Sequence, residues 1–391
     1  MHLSVVATSR NDDHGGQLTE RMQWFVDGLA AQCERHGMRA ELLLVEWNPP
    51  ADRPSLSQAL AWPRTSWCDS RIVTVSAQVH AGFPNADKIR LYQMIAKNVG
   101  IRRARGRFVL ATNVDILFSD EAMRYMRDRL QPGFVYLADR VDVPAELPKG
   151  DFGDVLSYCR RNALRINGGS LTVQRGPHGW RAMDRVKSSL GPRLAFMVDV
   201  GEKVIALGGK AAANPRWAMR RMLGHGRTAG AGSRARRASV PLALVRGAAR
   251  IARLTGGAVA AELRAPYVYT NACGDFTLMA RDDWFRVRAY AEWPMFSWHL
   301  DGLLVYQALG GGMPIRRLPA GAPVFHIEHQ GGYAPERAGE MFERLRNRGI
   351  PFLTSEELRR LRDELAAGSR DPCLNAESWG LADVPLPEAE P

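Results

Sequence analysis

Cysteine is scarce in this chain of 391 residues: Cys33, Cys68, Cys159, Cys273 and Cys373 lie far apart, with no Cys-x-x-Cys pair. That spacing argues against a zinc module and a disulfide framework, and it suits a reducing cytosol. Long apolar runs are missing as well. No stretch approaches the roughly 20 residues needed to span a bilayer, and the opening residues 1–8 are too short and uncharged for a signal peptide. The expectation is a cytoplasmic protein, soluble or peripheral on the inner face of the membrane. A third shortage is local. Between residues 210 and 264 a single acid, Glu262, faces twelve Lys and Arg. Twelve less one is +11, so nearly all of the formal charge of +12 is concentrated there. Aromatic residues are also nearly absent from that segment, with only Trp217, which argues against stacking on nucleic-acid bases.

What the basic segment does contain is patterned. Residues 224–233 are flexible in composition. Ser239-Val240-Pro241 then reads as an N-cap with proline in the first turn. The helix that follows would carry Arg246, Arg250 and Arg253 on one side and Leu244, Ala248 and Ile251 on the other, ending at Gly256-Gly257. A basic amphipathic helix of this kind lies on an anionic membrane surface or binds an acidic partner. The plain alternative is a solvated helix packed on its own domain.

Elsewhere the pattern is that of an α/β protein. Residues 3–8 read as a strand and 18–36 as a helix with Met22, Phe25, Val26, Leu29 and Cys33 on one face, stopped by Gly37. Residues 41–46 form a second buried strand, completing a parallel βαβ unit. A third strand covers 71–76, and a helix covers 88–104 with Ile89, Tyr92, Ile95, Ala96 and Val99 inward. Residues 108–112 are a short, largely apolar run that includes β-branched residues, the mark of a strand buried on both faces. Further helix is expected from Asp120 to about 130 and strand at 134–138. From 141 to about 214 the pattern loosens, with local order only near 155–165 and 194–207. Strand returns at 277–280, helix after Leu300 and strand at 323–325. Residues 334–367 read as helical, and the Pro-rich acidic end, 384–391, as disordered.

Three polar groups stand out against this frame. Asp115 follows the buried 108–112 strand with apolar residues on either side, a costly place for a carboxylate unless a cation or donor meets it. The alternative is an aspartate that caps a turn. Asp301 falls in the first turn of a helix, where the dipole favours negative charge. His326-Ile327-Glu328-His329 follows a late strand and precedes Gly331-Gly332, the densest run of ligand-type side chains in the chain. Imidazole ligands favour Mn²⁺ over Mg²⁺.

The stretch from Lys97-Asn98-Val99-Gly100 through Ala104-Arg105-Gly106 to Asn113-Val114-Asp115 resembles the central signature of GT-A glycosyltransferases. In that family an Asn-x-Gly helix leads through Ala-x-Gly and a hydrophobic strand to Asp-x-Asp. Here Asn113 stands where the first Asp usually does. It can accept a ribose hydroxyl or reach a metal-bound water, but it carries no charge. The resemblance implies that Ser9, Arg10 and Asn11 lie against the nucleotide and that Glu46 takes the acidic position after the second strand. It implies a diphosphate contact at Lys97, beside Asn98. Residues 274–285 resemble the second signature, a Gly-x-Phe-like strand, a basic residue and a short helix before the acceptor site. By the same resemblance Asp301, in His299-x-Asp301, takes the place of the catalytic carboxylate, and Asp115 with His326 or His329 would hold Mn²⁺ or Mg²⁺.

The fold implied is a GT-A-like (Rossmann-like) α/β/α sandwich with a mostly parallel mixed central sheet, plus a basic helical insert. The expected divisions are 1–140 for the nucleotide-sugar half, 141–265 for the insert, 266–335 for the acceptor and metal half, and 336–391 for a C-terminal extension. The implied activity is sugar transfer from a nucleotide-diphosphate sugar to a glycan or lipid-linked acceptor in cell-envelope polysaccharide synthesis. Inversion with Asp301 as base is the primary reading, and a retaining route on the same nucleotide site is its rival. A nucleotidyltransferase would want a lysine in its Gly-rich loop, and residues 9–16 have none. The non-enzymatic alternative is a basic protein docking on membrane or glycan through 210–264.

Overall fold

The computed structural model describes residues 1–169, 171–185, 268, 270–329 and 338–391. Residues 1–185 with 269–391 form one compact unit and 186–268 a second. The basic helix expected at 240–257, the flexible stretch 224–233, the local order at 194–207 and the Gly331-Gly332 loop all lie outside the described residues.

The chain opens with β1 (Leu3–Ser9), α1 (Leu18–His36), β2 (Ala40–Trp47), α2 (Leu56–Ala59) and β3 (Cys68–Val75). Next come α3 (Ala77–Ala81), α4 (Gln93–Arg103), β4 (Phe108–Thr112), β5 (Ile116–Phe118) and α5 (Asp120–Asp128). After β6 (Val135–Leu137) and β7 (Arg140–Val143) the order is α6 (Phe152–Arg161), β8 (Arg165–Asn167), β9 (Leu171–Gly176) and β10 (Gly179–Arg185). The last described part holds β11 (Phe276–Ala280), α7 (Arg281–Arg286), α8 (Leu300–Gly310), β12 (Ile315–Arg317) and β13 (Val324–Ile327). It ends with α9 (Ala338–Asn347), α10 (Ser355–Ala366) and β14 (Glu388–Ala389).

The larger sheet runs β12-β6-β11-β4-β1-β2-β3-β14. Its centre is parallel, with β1 between β2 and β4 and β3 beyond β2. Only β11 and the edge strand β14 run against their neighbours. This is the mostly parallel mixed α/β sheet expected of a GT-A-like chain. On one face Met22, Phe25, Val26, Leu29 and Cys33 of α1 pack on Val5, Ala7, Leu42 and Leu44. Gln17 gives α1 no side-chain cap, a loss of about 1 kcal/mol. Each of the large buried side chains on its inner face offsets that by about 1.5–3 kcal/mol, so packing decides.

The opposite face is covered by α4, and two glycines let the chain come close enough. A Cβ on Gly100 would stand 2.4 Å from Val6 Cγ1, and one on Gly106 would stand 2.5 Å from the backbone nitrogen of Ser4. These are the two glycines of the sequence signature, and close approach to β1 is the reason for both.

The smaller sheet runs β10-β9-β8-β7-β13-β5. The turn at 113–115 therefore carries the chain from one sheet into the other. Sequence periodicity anticipates little of this second sheet, because its strands are short and several are polar, as in Arg165–Asn167. Three further expectations are corrected. Instead of starting at residue 88, α4 begins at Gln93, with the short α3 before it. The helical stretch after 334 is two helices among the described residues, α9 and α10. The acidic tail is ordered: β14 pairs with β3, Thr74 N–H donates to Pro387 O at 2.9 Å, and Arg71 meets Glu388 at 2.6 Å. A buried arginine reaching out from β3 supplies the anchor that composition alone does not reveal. Among the described residues no helix is long and apolar enough to cross a membrane.

Candidate functional site

Strand order builds the site. Because β13 lies between β5 and β7, His326 is in register with Ile116 on one side and Asp142 on the other. Ile327 N–H also donates to Asp115 O at 3.0 Å. These constraints bring Asp115 and the His326–His329 segment together from distant parts of the chain.

Asp115 Oδ2 stands 3.4 Å from His329 Nε2, 3.7 Å from His326 Nε2 and 3.9 Å from Arg21 Nε. Its other oxygen, Oδ1, is buried and has no hydrogen-bond partner among the described residues. Burial pushes the Asp115 carboxyl up, but His326, His329 and Arg21 together outweigh that and hold it at about 2. Burial likewise works against the charged form of His326, as does Arg140, and the Asp115 and Asp142 carboxylates together more than offset them, so this imidazole is raised above its ordinary value. Its Nδ1 lies 3.2 Å from Asp142 Oδ1, leaving Nε2 turned to Asp115.

One ligand atom each from Asp115, His326 and His329 falls within 4.8 Å of the others. A carboxylate with an unsatisfied buried oxygen beside two imidazole nitrogens is a donor set that fits a divalent cation, Mn²⁺ more readily than Mg²⁺. A carboxylate behind the imidazole, as Asp142 is behind His326, is the usual way such a ligand is aimed.

The expected residues on the nucleotide side divide into two groups. Ser9 and Glu46 are register partners at the ends of β1 and β2, with Arg10 and Asn11 just beyond. Arg10 is buried beside Asp12 at 3.4 Å, and its Nε and Nη1 find no hydrogen-bond partner among the described residues. Burial pulls the Arg10 guanidinium down, with Arg90 adding to this and Asp12 opposing it. Glu46 accepts from Leu56 N–H at 2.8 Å, and burial raises its carboxyl. Asn11 donates to Pro54 O at 3.0 Å.

Lys97 and Asn98 lie inside the fold. Both are fully buried. Asn98 Nδ2 donates to Tyr290 O at 2.8 Å and Glu292 Oε1 at 3.0 Å, and Asn98 Oδ1 accepts from Tyr290 N–H at 3.1 Å. Its amide clamps the 290–292 segment. Lys97 Nζ donates to Gly274 O at 2.7 Å. Burial lowers this lysine to about 8, against the pull of Asp275, Asp301 and Asp115. It is a counter-charge shared by these carboxylates.

Asn113 is equally engaged. Its Nδ2 donates to Asp275 Oδ1 at 2.6 Å and its Oδ1 accepts from Gln93 Nε2 at 3.0 Å. Asp301 opens α8 with Oδ1 accepting from Gly302 N–H at 2.8 Å, and burial raises its carboxyl. A Cβ on Gly274 would stand 2.8 Å from Asp301 Oδ2, so that glycine makes room for the carboxylate. Asp301 shares the Lys97 charge with Asp115. Sequence reasoning missed Arg21, Arg140, Asp142 and Asp275. A signal was present for two of them: Arg140 and Asp142 are two apart, hence on one face of a strand, in a stretch that reads as loop.

No family model matches the chain, and no curated protein matches it. Among solved structures it is similar to GalNAc-T7 with UDP, GalNAc and Mn²⁺ (11% identity, TM-score 0.39, covering 98% of this chain and 56% of that one). It is also similar to TarS of S. aureus (16% identity, TM-score 0.25, 39% and 23%) and to TarS 1–349 in complex with UDP-GlcNAc (16% identity, TM-score 0.22, 38% and 37%). The chain spans less than two thirds of each of these proteins. Overlaps this partial say nothing about chemistry, which rests on the residues themselves.

Proposed function

We propose that this chain is a GT-A-like glycosyltransferase that takes its sugar from a nucleotide-diphosphate donor with the help of Mn²⁺ or Mg²⁺. The observation that carries this reading is the meeting of one ligand atom each from Asp115, His326 and His329 within 4.8 Å, while the second oxygen of the Asp115 carboxylate is buried and has no hydrogen-bond partner among the described residues. A cation held there would neutralise the charge that builds on the leaving diphosphate. Ser9, Arg10, Asn11 and Glu46 would line the nucleotide at the carboxyl ends of β1 and β2, where open α/β sheets bind ligands. Arg10, with two unsatisfied N–H groups, is the strongest of the four.

Asp301 is proposed as the base of an inverting transfer. The acceptor oxygen would bond to the anomeric carbon as the bond from that carbon to the diphosphate oxygen breaks. The electron pair leaves with the diphosphate, and the acceptor proton goes to Asp301. A carboxylate raised by burial is the better proton acceptor. The acceptor is proposed to be a glycan or lipid-linked saccharide of the cell envelope. The +11 charge of residues 210–264 would hold the enzyme at an anionic membrane surface on its cytoplasmic side.

The test is a panel of nucleotide-diphosphate sugars assayed for release of the nucleotide diphosphate, in Mn²⁺ and after EDTA treatment. Release from at least one donor in Mn²⁺, abolished by EDTA and restored on adding the ion back, is the expected result. Release unchanged by EDTA would remove the cation from the reading. No release from any donor, with or without saccharide acceptors, would remove the transferase.

A further inference from the structure

Arg140 belongs to none of the ligand sets above, yet two arms of the site meet at its guanidinium. Nη1 donates to Asp275 Oδ2 at 2.6 Å, Nε stands 2.8 Å from Asp142 Oδ1, and Nη2 donates to Asp142 Oδ2 at 3.3 Å. With its amide turned to donate to Thr172 Oγ1, Asn167 offers its oxygen to Arg140 Nε and Nη2 at 3.3 and 3.2 Å.

Each carboxylate passes the constraint on. Asp142 stands against His326 Nδ1 at 3.2 Å, and the two residues are paired across β7 and β13. Asp275 accepts from Asn113 Nδ2 at 2.6 Å, Asn113 from Gln93 at 3.0 Å, and Gln93 from Ser297 Oγ at 3.1 Å. One guanidinium thus ties the imidazole of His326 to the turn that carries Asp115 and to the loop that enters α8. A second cation on Asp142, His326 and Glu328 is the competing use of this cluster. Arg140 and Arg165, at 2.8 and 3.6 Å, already neutralise Asp142 and disfavour it.

We infer that Arg140 is a positioning residue for the cation site: its planar fork holds Asp142 behind His326 and Asp275 behind Asn113, and so sets where His326 Nε2 meets the Asp115 turn. This rests on the reading of Asp115, His326 and His329 as cation ligands. The fork is what matters. A lysine would keep the charge, but a single ammonium on a flexible stem cannot meet two carboxylates in the same fixed geometry. Losing the charge altogether would take the arginine from buried Asp275 and leave Asp142 with Arg165 at 3.6 Å as its arginine partner, a change that is strongly destabilising, so the informative variants are Arg140→Lys and Asp142→Asn.

The metal-free full chain is titrated with Mn²⁺, free ion is read from its six-line electron paramagnetic resonance signal, and thermal midpoints are recorded alongside. Wild type is expected to take up Mn²⁺. Arg140→Lys should bind it about 10–100-fold more weakly, the effect typical of an outer-shell partner. The spectrum of its bound ion should change while the protein stays folded, a signature that a merely structural role would not give. Asp142→Asn should do the same, and it decides the question if Arg140→Lys does not fold. Both variants binding Mn²⁺ as wild type does would overturn the role of Arg140 and leave the cation site standing. No uptake by wild type would overturn the cation site and this inference with it.

Discussion

Burial works against the charge on both Asp115 and His326; His326, His329 and Arg21 keep Asp115 charged, and Asp115 with Asp142 favours the charge on His326. In the metal-free protein the sign of this linkage differs for the two. Asp115, held at about 2 against an ordinary 3.8, contributes stability that is present above pH 3.8 and lost as pH falls toward 2. His326 is raised above 6.5, so its contribution is present below that value and lost as pH rises through its own higher pKa. Thermal midpoints of the metal-free protein should therefore fall as pH is raised past neutrality, and Mn²⁺ should reverse the fall by taking the proton's place. A midpoint flat with pH would contradict the pairing. At Asn98 a different outcome is expected. Asn98→Ala leaves the Tyr290 N–H without its acceptor, at about 1–3 kcal/mol, while Tyr290 O keeps Asn375 Nδ2 at 2.6 Å, so the midpoint should drop by a few degrees. Donor affinity of the folded protein should stay within a few-fold of wild type. A large loss of affinity with an unchanged midpoint would return Asn98 to the nucleotide site.

Among the elements, those with a single strong period were legible in the sequence and those without one were not. The helix at 18–36 was readable because five apolar side chains recur on one face and Gly37 ends it in the left-handed region. The strand at 108–112 was readable because all five of its residues are buried. By contrast, β7 and β8 are three or four residues long and carry Arg140, Asp142, Arg165 and Asn167, several of whose partners come from other parts of the chain. No local pattern predicts a buried ion pair that the fold completes later. The same holds for the tail, where Glu388 is ordered by Arg71 from β3. The signature glycines belong to this scale as well. Gly100→Ala would force a methyl to within 2.4 Å of Val6 Cγ1, and overpacking of this kind costs about 1–3 kcal/mol. A shift in chemical denaturation midpoint of that size is expected, and no shift would mean that α4 can move off β1 freely.

Across the whole molecule the charge is carried in one place and the candidate chemistry in another. Residues 210–264 hold +11 of the +12, while the candidate cation and nucleotide residues lie in 9–115 and 301–329. Deleting 210–264 should therefore abolish salt-sensitive binding to vesicles containing phosphatidylserine or phosphatidylglycerol. Surface attraction of this kind is screened within about 10 Å at 0.1 M salt. Donor binding should survive the deletion. A deletion protein that folds but no longer binds donor would place the nucleotide site partly in the insert. The central claim is that one cation, gripped by Asp115 and the two histidines, draws in the diphosphate of a donor sugar. Its most direct test is calorimetric titration of the best nucleotide-diphosphate sugar from the release assay into wild type and Asp115→Asn, each with and without Mn²⁺. The account predicts tight binding only by wild type with Mn²⁺, with affinity at least about tenfold weaker in the other three titrations. Equal affinity in all four would contradict it.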